Sequence, residues 1–138
     1  MTLSPLAPAS FPELATIDGV TLSTAASAMK YQGRDDMLLM RLDEGTEMAA
    51  VFTRSDTAAA PVEWCRQRVS GGIPARAVLV NAGNANAFTG TGGIAAVTAC
   101  CSAVGEALGC NADAVMMAST GVIGEPLDTA MLLPHMPA

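Results

Sequence analysis

The stretch from Ala77 to Ser119 constrains the fold more than any other part of the chain. It opens with AVLVNAG, a short apolar run bounded by turn residues, which is the pattern of a buried strand. The loop NANAFTGTGG follows, and then GIAAVTACCSAVGEALG. In that segment Val97, Cys101, Val104 and Leu108 recur on one helical face, and Gly109 is placed to cap it. DAVMMAS is a further strand, and TGVIGEP reads as the turn after it.

Upstream, β-branched residues after the Asp18-Gly19 turn predict a strand at 20–24. DMLLMRL, the turn DEGT and EMAAVFTRS predict an antiparallel pair, 37–42 with 47–54. In TAAAPVEWCRQRVS, Pro61 marks the start of a helix on which Val62, Cys65, Arg66 and Val69 share a face. A last helix starts at Leu127 and is interrupted by Pro134 and Pro137. Several strands, then strands alternating with helices, give an α/β class, an α+β sandwich of layered sheet and helices. Residues 1–16, broken by Pro5, Pro8 and Pro12, form an irregular lead-in, and 17–138 a single α/β domain piece.

Composition excludes several function classes. Apolar residues make up 51% of the chain. That share argues against disorder and leaves apolar surface for a partner chain to cover. Seven scattered Lys and Arg against a net charge of −6 form no basic stripe, so nucleic acid is not an expected partner. Cys65, Cys100, Cys101 and Cys110 include no C-x-x-C pair, and one histidine cannot complete a usual zinc set. No metal or cofactor is expected. Cys100 and Cys101 fall inside the helical pattern and are read as packing residues. The N-terminus lacks the charged start and apolar core of a signal peptide. Charges, Gly or Pro interrupt the apolar runs, so no membrane span is expected and the cytoplasm is the default location.

Three stretches could carry chemistry. Gly90-Thr91-Gly92-Gly93-Ile94-Ala95 matches G-x-G-x-x-A before a helix, with Asp113 further on, as a nucleotide-binding loop would. However, NAGNANAFT separates it from the strand, where the fingerprint needs its first Gly at the strand's end. Asn81, Asn84 and Asn86 read as a structured turn, with a polar pocket lining as the lesser alternative. ASTGVIG can present the Thr120 hydroxyl and a main-chain N–H together, as an oxyanion site for acyl transfer requires, and Gly121 permits close backbone approach. A plain strand-to-helix turn fits the same spacing equally well. Thr120 has no evident base, since the only histidine, His135, lies in a proline-broken tail. Asp35-Asp36 and Asp43-Glu44 read as solvated turn residues.

In this order, GRDDMLLM, AAVFTRSDTAAAPVEWC, VLVNAGNANAFTGTGG and VMMASTGVIGEPL resemble the bifunctional ornithine acetyltransferases, also called glutamate N-acetyltransferases, of arginine biosynthesis. The resemblance runs from about Ile17 to Leu127. It implies a precursor that cuts itself before a threonine, giving an α and a β chain, usually assembled as α2β2. The new N-terminal Thr of the β chain attacks N-acetylornithine, and glutamate takes the acetyl group. Some members also accept acetyl-CoA as donor.

The family's oxyanion Thr-Gly pair falls on Thr120 and Gly121, and its fold is like that of the self-processing aminopeptidases. A Thr that uses its own α-amino group as base explains the shortage of histidine. The family's α chain continues past the point matching Ala138, through a Thr and a Lys that contact substrate and up to the cleavage junction. The chain is therefore expected to be an N-terminal α portion, completed by a β chain and inactive alone.

Overall fold

The computed structural model describes residues 5–8, 10 and 12–136. Four strands form one sheet: β1 (Val20–Ala25), β2 (Met37–Leu42), β3 (Ala77–Asn84) and β4 (Val115–Val122), in the order β1-β2-β3-β4. β1, β2 and β3 pair antiparallel, and β3 and β4 pair parallel. Parallel neighbours need a long crossover, and α2 (Gly90–Leu108) supplies it between β3 and β4. The other helices are α1 (Ala60–Ser70) and α3 (Thr129–Leu132), with 3-10 turns at Ala112–Ala114 and Leu133–His135. The α+β class read from the sequence is the observed one.

Opposed residues share a face of a sheet, so the register sorts the side chains. Met37, Leu39, Ala77, Leu79, Val115 and Met117 pack with Trp64 of α1 and with Val97, Cys100, Cys101 and Val104 of α2. The opposite face carries Leu22, Met40, Val78 and Met116 in a row across the strands. Only a smaller cluster, around Leu42, Ala75 and Met116, is buried there, and Leu22 is 60% exposed.

The predicted hairpin partner at 47–54 is not a strand. Both sides of β2 are taken by β1 and β3, as the pairs Leu22↔Met40 and Met40↔Val78 show. After the turn at Asp43–Gly45 the chain leaves the sheet without regular structure, and Val51 is 99% exposed. The predicted lead-in has no strand or helix in its described part, and its masked positions lie outside the described residues.

α1 is turned from its predicted face. Ala60, Pro61 and Trp64 are buried, whereas Val62, Cys65, Arg66 and Val69 are half-buried. Trp64 sets this rotation, because its indole Nε1 donates to the Val115 carbonyl at 2.8 Å. Arg68 covers its ring at 3.1 Å and bonds Asp113 at 2.6 Å.

α2 buries Val97, Cys101 and Val104 as predicted, with Leu108 packed at the rim, and Gly109 caps it at φ 65°. The helix begins at Gly90, earlier than expected, because Asn86 and Thr89 hold its first turn. Asn86 Nδ2 donates to the Gly93 carbonyl at 3.0 Å, and the Thr89 hydroxyl donates to Asn86 Oδ1 at 2.7 Å. By length and composition alone α2 is long and apolar enough to cross a membrane, although Gly93, Gly105 and Glu106 interrupt it as the sequence reading expects. Here Val97, Cys100, Cys101 and Val104 are fully buried against the sheet, so α2 serves as a core helix.

β4 runs on through Val122, so Thr120 and Gly121 lie in the strand rather than in a turn. The cause is β3, which extends to Asn84 and offers partners through an irregular register at its end. The C-terminal helix is short. Asp128 caps it by accepting from Ala130 N at 3.0 Å, and Pro134 falls in the 3-10 turn after it. Pro137 lies outside the described residues.

Candidate active site

β4 is an edge strand, and its outer side is only partly covered. Trp64 takes the Val115 carbonyl, and the Cys65 thiol donates to the Met117 carbonyl at 3.3 Å. On the inner side, Ala85 N donates to the Val122 carbonyl at 2.9 Å. Successive peptide groups in a regular strand point to opposite sides, which is why the Val115 and Met117 carbonyls both face outward. Gly121 lies past the last side chain of α1 that clamps this edge.

The Thr120 side chain follows the register Val80↔Ala118 and Ala82↔Thr120 onto the face that the helices leave open. Thr120 and Gly121 are both exposed. Two adjacent exposed residues, one with a hydroxyl and the next a glycine, thus lie at one corner of the sheet. A hollow of about 270 Å³, lined mostly by apolar groups including Phe52, Pro61, Cys65 and Ser119, runs along the same edge.

Gly121 is glycine for a reason the sequence did not show. At φ 137°, a Cβ there would sit 2.3 Å from the Gly83 carbonyl carbon. The close approach to Gly121 is thus made by the backbone of β3.

The turn reading holds only for Asn86, since Asn81 and Asn84 lie within β3, but all three bond main chain. Asn81 Nδ2 donates to the Asn84 carbonyl at 3.0 Å. Asn84 Nδ2 reaches the Glu125 and Pro126 carbonyls at 3.0 and 3.2 Å, and its Oδ1 accepts from Asn86 N at 2.7 Å. One contact goes further: the Ser119 hydroxyl donates to Asn81 Oδ1 at 2.6 Å, tying β4 to β3 one residue before Thr120.

Asp36 corrects the sequence reading. It is 4% exposed, and its carboxylate accepts from Ser27 N at 2.6 Å and Met29 N at 3.2 Å. Its carbonyl accepts from Ala82 N at 2.8 Å. Asp36 therefore folds residues 27–31 back onto the end of β3. There Lys30 packs over Gly83 and bonds Glu125 at 3.2 Å. Acid-acid neighbours in a turn-like stretch gave no signal of this burial.

The other candidates stand apart from the corner. Gly90, Gly92 and Gly93 form the first turn of α2, five residues beyond β3. A Cβ on Gly93 would meet Thr89 Oγ1 at 2.0 Å, so packing explains that glycine. Asp113, the acid sought for a ribose, is engaged by Arg68. His135 lies over β1 and β2 on the helix-covered face, beside a cavity of about 110 Å³ that includes Thr24 and Met37. The Cys65 thiol bonds β4 at Met117, and burial raises its pKa, so it stays protonated at neutral pH.

A profile of the ArgJ family matches residues 21–138. The arginine biosynthesis bifunctional protein ArgJ of Nitrobacter winogradskyi is 54% identical over 129 residues, covering 91% of this chain and 31% of that protein. The protein of the same name from Rhizobium meliloti is 52% identical over 127 residues, covering 92% of this chain and 30% of the relative. The chain thus spans about a third of the length of these relatives.

Among solved structures, the arginine biosynthesis bifunctional protein ArgJ of Bacillus halodurans superposes with a TM-score of 0.81 at 26% identity, covering 86% of this chain and 62% of that one. The ornithine acetyltransferase of Mycobacterium tuberculosis, complexed with ornithine, gives 0.80 at 36% identity, covering 85% and 63%.

Proposed function

The chain belongs to the ArgJ family, and from that membership we propose that it is the oxyanion-bearing part of an acetyltransferase. The complete protein moves an acetyl group from N-acetylornithine to glutamate in the cytoplasm, and acetyl-CoA is a further donor. The nucleophile is the N-terminal Thr of a β chain cut from the same precursor, with two chains of each kind in the assembly. The reaction uses no cofactor.

What supports this reading is the pair Thr120 and Gly121, exposed together near the end of the edge strand β4, where a hydroxyl and a main-chain N–H stand on adjacent residues. The incoming threonine hydroxyl attacks the acetyl carbonyl carbon, and the α-amino group of that threonine takes the proton. The carbonyl oxygen becomes an anion, which the Thr120 hydroxyl and the Gly121 N–H hold by hydrogen bonds. Collapse returns the proton to the ornithine amine, which leaves, and the acetyl group stays as an ester on the enzyme. The amino group of glutamate then attacks the ester carbonyl, and a second oxyanion forms at the same two donors. Its collapse breaks the ester bond, so that the proton lost by the amine returns to the threonine oxygen and the acetylated glutamate leaves. This division of labour also accounts for the open apolar face beside Thr120, which a partner chain covers.

The test is Thr120→Ala in the complete protein. Removing one oxyanion donor lowers kcat on the order of 100- to 1,000-fold. Unchanged turnover of N-acetylornithine with glutamate would remove Thr120 from the oxyanion site.

A further inference from the structure

We propose that Asn81 and Ser119 are a positioning pair that sets the Thr120–Gly121 donors. The proposal rests on the reading of those two residues as oxyanion donors. The hold on β4 changes along its length. As far as Met117, α1 clamps its outer edge through Trp64 and Cys65. Beyond Met117, among the described residues, no side chain of α1 bonds that edge. The cross-strand side-chain bond nearest the donors is Ser119 Oγ to Asn81 Oδ1, at 2.6 Å.

Asn81 is well suited to hold a fixed point. It is fully buried, and its other end is anchored, with Nδ2 on the Asn84 carbonyl at 3.0 Å. One amide therefore bridges β4 just before Thr120 and β3 just after Gly83, the residue opposite Gly121. The bond lies on the helix-covered face, whereas the Thr120 side chain lies on the open one. Asn81 and Ser119 thus act through the main chain, without touching substrate. Oxyanion donors need placement within a fraction of an ångström, and a misplacement of about 1 Å can cost on the order of 100-fold.

The experiment compares Ser119→Ala, Ser119→Thr, Asn81→Asp and Thr120→Ala in the complete protein purified with its partner chain. It measures kcat, KM for N-acetylornithine and the thermal midpoint. Ser119→Ala is expected to lower kcat about 10-fold or more, with KM within about twofold, since only donor placement changes. Ser119→Thr keeps the hydroxyl and restores kcat. Asn81→Asp keeps the acceptor for Ser119 but loses the donor to Asn84, and it lowers kcat likewise.

In the double variant Ser119→Ala/Thr120→Ala, the losses fall short of the product of the single ones, because both act on one group. If Ser119→Ala shifts the thermal midpoint and leaves kcat unchanged, the pair is structural only and the proposal is overturned. If Thr120→Ala itself leaves kcat unchanged, the oxyanion reading has failed instead. Should Asn81→Asp not fold, the Ser119 variants decide alone, since they change a half-buried hydroxyl.

Discussion

Gly121 and Gly83 face each other across β3 and β4, so that a Cβ on Gly121 would lie 2.3 Å from the Gly83 carbonyl carbon and 2.5 Å from Asn84 N. Neither contact can relax by moving a side chain, because both are to backbone. Gly121 also sits at φ 137°, where L side chains are strained. Gly121→Ala is expected to destabilise the fold by about 2–5 kcal/mol, from overpacking and backbone strain together. Urea unfolding of the complete protein measures it, and a midpoint equal to the parent's would contradict the close approach.

Trp64 joins α1 to the first half of β4. Trp64→Phe keeps most of the buried ring but leaves the Val115 carbonyl without its 2.8 Å donor. An unpaired buried acceptor costs about 1–3 kcal/mol. Circular dichroism during urea unfolding should show that loss, with near-native kcat at low denaturant, since the clamp lies several residues from Thr120.

The carboxylate of Asp36 accepts two main-chain N–H groups, from Ser27 and Met29. Asn offers one acceptor and turns an NH2 toward the second N–H. Asp36→Asn should therefore loosen residues 27–31, with a cost of about 1–3 kcal/mol. Hydrogen exchange should rise at the Ser27 and Met29 amides while β3 stays protected. Equal protection in both proteins would show that the carboxylate is not what holds this loop.

Burial in α2 pushes Cys100 up to about 11 and Cys101 up to about 12, from an ordinary value of 9.0. A raised thiol pKa means that the folded chain keeps protons the unfolded chain has lost. The stabilising contribution is full below pH 9 and is lost as pH rises through the folded values. Each thiol contributes a slope of about 1.4 kcal/mol per pH unit over that window. Cys101→Ala should flatten the alkaline limb of a stability profile between pH 9 and 12. A profile as steep as the parent's would assign the limb to other groups.

Much of the fold was legible because local pattern and tertiary environment agree. β2 was placed at its observed bounds, since an apolar run between turn residues suits a strand with neighbours on both sides. The buried face of α2 and its Gly109 cap followed from periodicity and a left-handed glycine. The segment 47–54 misled because its composition suits a strand, while both edges of β2 were already filled by distant partners. On α1, the Trp64 indole found the edge of β4 and overrode the apolar spacing of Val62, Cys65 and Val69.

The site divides in the same way. Thr120 and Gly121 were marked by their residue types and by the ordered motifs around them. That they lie within β4, at a free edge next to an uncovered face, depends on the pairing of β3 with β4 across the α2 crossover. Asp36 and the Asn81–Ser119 bond left no trace in local sequence, because their partners lie 7 to 38 residues away.

By itself, the sequence determined the short-range features: the class of fold, the strongest strands, the apolar face and cap of α2, and the Thr-Gly pair with the family it resembles. These depend on periodicity, turn chemistry and residue type, which act over a few positions. Only the tertiary structure decided that Thr120 and Gly121 lie within an edge strand, which backbone requires Gly121 to be glycine, and which side chains hold the strand that carries it. Those depend on register and on contacts between residues far apart in the chain, which no local pattern encodes.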